Sequence, residues 1–297
     1  MNKEGNNNVN GSFPIFFFSG TGNTWWISQQ ITEALQEQGL DVKAYSIEQT
    51  TPQQAAALIE QAAGVGLGFP IYGSDAPRIF TDWLKELPIL KEKKPTLGYV
   101  TQGLWSGTGC NFLEEVYREK GLDLKWSQEF NMPNNICLPK FALMFPYVSE
   151  PEKWAGTLEK RKKDVLELAA RIAGEIRYRQ HNDLISRASA WIQRGPFRLM
   201  HDPGRTLWSV DESCLGEKCG RCTRICPVEN ISMVEGGAQH GEACVYCMRC
   251  FNFCPTHAIH YWGASNERLE KKPAYQGPVK EFRPELICER ESGKQEN

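Results

Sequence analysis

Short apolar runs alternate with amphipathic stretches over the first half of the chain. The runs are FPIFFF (Phe13–Phe18), VKAYSI (Val42–Ile47), GVGLGF (Gly64–Phe69), PTLGYVT (Pro95–Thr101) and LKWSQEF (Leu124–Phe130). Each is of strand length and is followed by a stretch of helical periodicity: Asn23–Gln38, Pro52–Gln61, Pro77–Glu86, Cys110–Lys120 and a long segment from Pro151. Five strand–helix units in succession predict an α/β fold, a parallel sheet covered by helices on both faces. In the last helix Leu158, Val165, Leu168, Ile172 and Ile176 recur on one face. Lys160, Arg161, Lys162, Lys163 and Arg171 fall elsewhere and read as a solvated face.

The pattern changes after that helix. Asp183 to Pro203 predicts another helix, broken near Gly195-Pro196 and closed by HDPG, which suits a connector with a domain boundary near residue 200. Beyond Gly263 the chain is charged, proline-containing and weakly periodic, as expected of an extended tail on the surface.

Length and charge narrow the field. A chain of 297 residues is long for one core and comfortable for two. A formal net charge of -2 supplies no broad field for nucleic acid or an anionic membrane surface. No apolar run approaches the roughly 18 residues of a membrane span, the longest candidates being FPIFFF and FALMFPYV near residue 141. The N-terminal MNKEGNNNVNGS lacks the features of an export signal, so a polar, disordered tail and a cytoplasmic location are expected.

Eight of the eleven cysteines sit between Cys214 and Cys254. CGRCTRICPVENIS (Cys219–Ser232) aligns with CMRCFNFCPTHAIH (Cys247–His260) at a constant offset of 28 residues, matching every Cys, the Pro and the Ile. The runs differ only in their leading cysteine, giving C-x4-C-x2-C-x3-C-P from Cys214 and C-x2-C-x2-C-x3-C-P from Cys244. Two residues between cysteines let three thiolates converge on one face of a cubane, and the fourth Cys, before the proline, reaches the other cluster. On that rule Cys214, Cys219, Cys222 and Cys254 hold cluster one, and Cys244, Cys247, Cys250 and Cys226 hold cluster two. Zinc ribbons instead use separated CxxC pairs and require no CP repeat. Cys110, Cys137 and Cys288 fit no spacing. The insertion at Gly216, Glu217 and Lys218 is expected to change hydrogen bonding and solvent access at cluster one, giving two resolvable cluster potentials.

The first apolar run enters SGTGNT (Ser19–Thr24) and then a helical stretch. Glycines and small hydroxyl residues let backbone wrap a phosphate, and the helix N-terminus adds exposed N–H donors. Neither a Walker lysine nor a third glycine follows, which disfavours a nucleoside triphosphate or a dinucleotide. His181, His201, His240, His257 and His260 show no ligand spacing, and no acid/base constellation is read from them.

The residues from Trp208 to Trp262 resemble the two-cluster bacterial-type ferredoxins. The strand–helix alternation with SGTGNT resembles flavodoxin, which implies a doubly wound sheet of order 2-1-3-4-5 and bound FMN. From that resemblance Ser19, Thr21, Gly22, Asn23 and Thr24 would hold the phosphate. PIYGSDAP and TQGLWSGTGC would close on the ring, with Tyr72 and Trp105 as stacking aromatics and Gly73, Ser74 and Gly103 presenting backbone groups. MPNN (Met132–Asn135) also matches these proteins, without assigned chemistry.

Together the chain resembles the flavodoxin/ferredoxin fusions of anaerobes. The resemblance implies a disordered tail at 1–11, an FMN-binding domain at 12–182, a helical connector at 183–203, a small α+β two-cluster domain at 204–265 and an extension at 266–297. Its implied function is electron transfer between a redox protein donor or acceptor, two 4Fe–4S clusters and FMN. Two alternatives stand beside it: an FMN-dependent reductase of a small-molecule acceptor such as a quinone or nitro compound, and a ferredoxin with a flavin-free docking domain.

Overall fold

The computed structural model describes residues 11–135, 154–204, 206–261 and 274–288. The expected tail before Gly11, Cys137, FALMFPYV, the start of the helix from Pro151, and residues 262–273 and 289–297 lie outside the described residues.

The five apolar runs become strands β1 (Ile15–Phe17), β2 (Ala44–Ser46), β3 (Val65–Pro70), β4 (Lys94–Gln102) and β5 (Leu122–Asn131). They pair in parallel in the order β2-β1-β3-β4-β5, the flavodoxin-like order. A sixth short strand, β6 (Tyr178–Arg179), extends the β5 edge. Two residues carry no readable period, which is why the sequence does not announce it.

Alternate residues of each strand feed opposite cores. On one face Ile15, Leu97, Tyr99, Trp126 and Phe130 meet α1 (Asn23–Glu37) and α5 (Ala155–Ala173) through Trp26, Ile27, Ile31, Val165, Leu168 and Ile172. On the other, Phe16, Phe18, Leu67, Phe69 and Val100 meet α2 (Pro52–Glu60), α3 (Arg78–Glu86) and α4 (Glu114–Glu119). A capping box fixes the start of α2: the Gln54 amide donates to Thr51 Oγ1 at 3.2 Å, and the Thr51 amide to Gln54 Oε1 at 2.9 Å. The charges of α5 are not all solvated. Arg161 is buried, 2.9 Å from Asp164, and donates to the Asn131 carbonyl at 3.4 Å.

No break occurs near Gly195-Pro196: α6 runs Leu184–Gly204. A proline removes one backbone bond of the helix, and turns on either side carry the direction through. This helix crosses the loops after β3 and β4. Ser74 Oγ donates to Gln193 Oε1 at 3.0 Å, and Arg194 donates to the Ser74 carbonyl at 2.9 Å and to Thr108 Oγ1 at 3.0 Å.

The cysteine segment is built twice on one plan. Its sheets pair β7 (Trp208–Val210) with β10 (Ile259–Tyr261) and β8 (Ile231–Val234) with β9 (Gly237–His240), both antiparallel. Short helices α7 (Arg221–Arg224) and α8 (Arg249–Asn252) occupy equivalent places, each preceded by a left-handed residue, Gly220 at φ 51° and Met248 at φ 60°. Glu229 and His257, also at the 28-residue offset, share φ values of 51° and 55°. The repeat in sequence is thus a repeat in backbone. The C-terminal segment departs from the surface tail expected. Ala274, Tyr275, Phe282 and Ile287, the last in α9 (Glu285–Cys288), are buried against both halves. Four apolar residues at irregular spacing had signalled no element.

Candidate functional site

Ser19–Thr24, the loop expected to hold a phosphate and called the phosphate loop below, joins β1 to α1. Gly22 takes φ 99° at the helix start, open to glycine without a Cβ penalty, and no side chain caps α1. The first-turn amides of Asn23, Thr24 and Trp25 therefore have no intrahelical acceptor, while the Trp26 amide already bonds the Gly22 carbonyl at 2.9 Å. Around these donors, Ser19 Oγ accepts from the Gly22 amide at 3.2 Å, and the Thr24 hydroxyl meets that of Thr101 at 2.8 Å. Thr21 Oγ1 accepts from Asn135 Nδ2 at 2.7 Å, and Asn23 donates to the Pro133 carbonyl at 2.9 Å. MPNN, to which sequence gave no role, thus braces the loop. Uncapped amides at the head of a 15-residue helix, with hydroxyls beside them, fit a phosphate group.

The ring contacts are less gathered. Tyr72 points its buried hydroxyl, without a partner among the described residues, at Gly20, and burial pushes its phenol well above its ordinary pKa, with Cys247 adding to the effect. Ser74 is tied to α6, and Gly73 turns at φ 56°. A side chain at Gly103 would meet nothing, and Trp105 stands half-exposed, edge-on to His181 at 6.5 Å. Tyr72 and the phosphate loop come together; Trp105 lines a different cleft.

The cysteines fall into two groups. Cys214, Cys219, Cys222 and Cys254 edge one small cavity with Ile225, Phe253 and Ile259, and Cys250 of the second run also reaches it. Burial pushes the Cys222 thiol up to about 11, and its nearest thiol neighbours in charge are Cys254 and Cys214. Burial likewise raises Cys250, and raises Cys247 to about 12; Cys226 and Cys244 add to both. Backbone amides turn to sulfur, Asn230 to Cys226 at 3.2 Å and Tyr246 to Cys244 at 3.4 Å. In this loop, two residues longer than its counterpart, Gly216–Lys218 forms one 3-10 turn, closed by the Cys219 amide on the Gly216 carbonyl at 3.1 Å. Among the described residues no three ligand side chains close on a single ion. The donor sets, soft thiols around an apolar cavity in the first group and thiols that accept backbone N–H groups in the second, fit iron–sulfur clusters.

The two halves meet at the phosphate loop, through a residue that the sequence did not single out. Arg249, between Cys247 and Cys250, is fully buried. Its Nε donates to the Gly20 carbonyl at 2.9 Å, and its terminal nitrogens to the carbonyls of Ser19 at 2.6 Å and Ile225 at 3.1 Å. Both also donate to the Glu48 carboxylate, one at 2.7 Å. The carbonyls face the cysteine loop, and the loop's amides remain for an anion. From the C-terminal segment the Tyr275 hydroxyl donates to Asn23 Oδ1, and Phe282 covers Gly22 and meets Trp25 at 5.3 Å.

Gly20 marks how closely the halves approach: a Cβ there would stand 2.2 Å from the Tyr72 hydroxyl and 2.6 Å from the Cys247 carbonyl oxygen. Gly20→Ala is expected to destabilise the chain by about 1–3 kcal/mol through overpacking, seen as a lower denaturant midpoint.

A titratable pair that sequence reading passed over joins β5 to the loop after β6. Glu129 Oε1 lies 3.1 Å from His181 Nδ1, with the carboxylate side chain 3% exposed. Only the β6 crossover brings them together, 52 positions apart by their residue numbers. Burial holds the Glu129 carboxyl above its ordinary 4.5, opposed by His181 and Gln102. The unfolded chain releases this proton near 4.5 and the folded chain releases it later. Stability from this group therefore falls as pH rises from that value through the raised folded value, then levels. Glu129→Gln is expected to flatten that fall, measured as the difference in Tm between wild type and variant across acid to neutral pH.

Comparison with known proteins agrees with this two-part construction. Residues 240–260, the second cysteine run, match the 4Fe–4S binding domain. The chain is 33% identical over 51 residues to the ferredoxin of Methanothermococcus thermolithotrophicus, 16% of this chain and 83% of that ferredoxin. It is 27% identical over 110 residues to a diflavin flavoprotein of Nostoc sp., 37% of this chain, and spans only 19% of that protein's length. Similar solved structures include rubredoxin:oxygen oxidoreductase of Desulfovibrio gigas, at 18% identity and TM-score 0.40 over 56% of this chain and 36% of that one. Flavodoxin 1 of Bacillus cereus is similar at 19% identity and TM-score 0.37, over 54% of this chain and 97% of that one. The chain thus joins a flavodoxin-like sheet, defined by its strand order, to a 4Fe–4S binding domain. Among the described residues no helix is long and apolar enough to cross a membrane.

Proposed function

We propose that this chain is an iron–sulfur flavoprotein that carries electrons between a redox partner protein, two 4Fe–4S clusters and FMN. The observation that carries the reading is the docking of the Cys244–Cys250 loop on the phosphate loop. There Cys247 abuts Gly20 and Tyr72, and Arg249 bonds the carbonyls of Ser19 and Gly20. Bound clusters supply one-electron chemistry, and a bound flavin holds one or two electrons.

In this reading Cys214, Cys219, Cys222 and Cys254 hold cluster one, and Cys244, Cys247, Cys250 and Cys226 hold cluster two. Ser19, Thr21, Gly22, Asn23 and Thr24 hold the FMN phosphate, with Tyr72 the ring contact nearest the cysteine loop. Cys247 packs into the core of the parallel sheet, which supports an order with cluster two nearest the flavin. The anaerobe setting rests on the resemblance to the flavodoxin/ferredoxin fusions of anaerobes, and oxygen sensitivity is expected of clusters near a surface.

Anaerobic iron, sulfide and flavin analysis tests the proposal. About eight iron, about eight sulfide and about one FMN per chain are expected. Full iron without flavin would favour the flavin-free docking alternative. The reductase alternative has one supporting observation, the pairing of buried Glu129 with half-exposed His181 beside Trp105. Fast turnover of a quinone, against fast exchange only with a protein carrier, separates it from the carrier reading.

A further inference from the structure

Helix α6 has two unlike faces. On the inward face Ser186 and Ala190 are buried, Gln193 and Arg194 bond the loops after β3 and β4, and a Cβ on Gly107 would stand 2.6 Å from that of Ala190. The outward face is apolar. Leu184, Ile185, Trp191 and Ile192 are 82%, 80%, 81% and 65% exposed. Ala188 and Gly195 are exposed with them, and a Cβ on Gly195 would meet nothing. The outward face of α5 instead carries Glu159, Lys162, Lys163 and Glu167, the ordinary solution for a helix that faces water.

The spacing of this outward face is that of a helix–helix seam. Leu184, Ala188, Trp191 and Gly195 follow one another at steps of four, three and four, with Ile185 and Ile192 seven apart along one flank. Large and small residues alternate along it. Run antiparallel against itself with Ala188 opposite Trp191, the seam sets every large side chain on a small one, Trp191 on Ala188 and Leu184 on Gly195. A parallel pairing would set Trp191 on Trp191 and Gly195 on Gly195, crowding one layer and emptying another. Arg198 and Asp202 hold the next two seam positions in the sequence, which ends the apolar run after Gly195.

We propose that the outward face of α6 docks on α6 of a second copy of this chain, antiparallel about a twofold axis. Such an axis makes the contact isologous, so each large-on-small layer occurs twice. Trp191 covers the partner's Ala188 and Leu184 the partner's Gly195, while Ile185 and Ile192 widen the strip. The four large side chains remove on the order of 600 Å² per copy from water, against about 800 Å² per partner in a standard interface. A contact of this size holds a reversible dimer of about micromolar affinity. The pairing goes beyond the electron-carrier reading and does not depend on it.

Sedimentation equilibrium of the anaerobically prepared full chain tests this, with a reversible shift from the mass of one chain to that of two expected between about 1 and about 100 µM. Trp191→Ala removes the large member of two layers and should weaken the dimer at least about tenfold. Ala188→Trp sets Trp on Trp in the same layers and should weaken it as much. The double variant Ala188→Trp, Trp191→Ala exchanges the two positions, restores large on small and should recover most of the wild-type affinity. Ala188 and Trp191 are both exposed, so all three variants should keep the wild-type circular dichroism, which separates lost pairing from lost fold. A chain still monomeric at about 100 µM, including one that instead floats with phosphatidylglycerol vesicles, would overturn the proposal. So would a dimer that either single variant leaves at full strength. A double variant no tighter than the weaker single variant would overturn the antiparallel pairing. The centrifuge reads association alone, so its failure leaves the electron-carrier reading intact.

Discussion

Arg249→Met is expected to destabilise the folded chain by about 3–5 kcal/mol, the range for removing one partner of a buried ion pair. The side chain of Arg249 is 0% exposed and that of Glu48 5%, so the substitution strands a carboxylate away from water. It also leaves the carbonyls of Ser19, Gly20 and Ile225 without their donors. Because those carbonyls belong to the phosphate loop and the first cysteine run, the loss falls at the joint between the halves. Glu48→Gln should cost less, since the amide oxygen still accepts from one guanidinium nitrogen. The double variant Arg249→Met, Glu48→Met should recover part of the loss, because no unpaired charge remains. Anaerobic urea unfolding of the loaded protein measures all three. A single variant within about 1 kcal/mol of wild type would show that the pair contributes only what an exposed ion pair does.

Cys226→Ala and Cys254→Ala are expected to empty the site opposite to the run in which each cysteine stands. Each should lower iron from about eight to about four per chain. Cys226→Ala should abolish the same reduced electron-paramagnetic signal as Cys250→Ala, and Cys254→Ala the same signal as Cys222→Ala. The geometry supports this crossing at one site: Cys254 of the second run edges the same cavity as Cys214, Cys219 and Cys222. If Cys226→Ala and Cys222→Ala remove the same signal, each run serves its own cluster and the crossed assignment is wrong.

Much of this was legible in the chain because the determinants are local. Alternation of apolar runs and helical periods prescribes the five-stranded core, since each strand's two faces must be covered. SGTGNT reads as a loop into a helix because glycine and hydroxyl residues act within a few positions of themselves. Cysteine spacing declares a shared geometry at short range, and the 28-residue repeat reappears in the left-handed residues Gly220 and Met248.

What sequence missed lies in contacts between distant residues. Arg249 looks like any basic residue between two cysteines until tertiary packing places Glu48 and the Ser19 and Gly20 carbonyls around it. His181, which shows no ligand spacing in the sequence, meets Glu129 only because β6 adds to the sheet edge. The C-terminal segment has no period because it forms almost no regular structure. Its buried residues answer to pockets on two other units.

The sequence by itself determined the strand order's local ingredients, the phosphate loop and the two sets of thiols, because period, turn chemistry and ligand spacing act over a few residues. Only the tertiary structure decided which cysteine loop lies against the phosphate loop, that Arg249 and Tyr275 hold the halves together, and that Trp105 faces the Glu129–His181 cleft. Those outcomes depend on burial and on the pairing of charges and backbone carbonyls across more than 200 residues, as between Arg249 and Gly20. A linear pattern carries no record of such distances; desolvation in the folded core selects them.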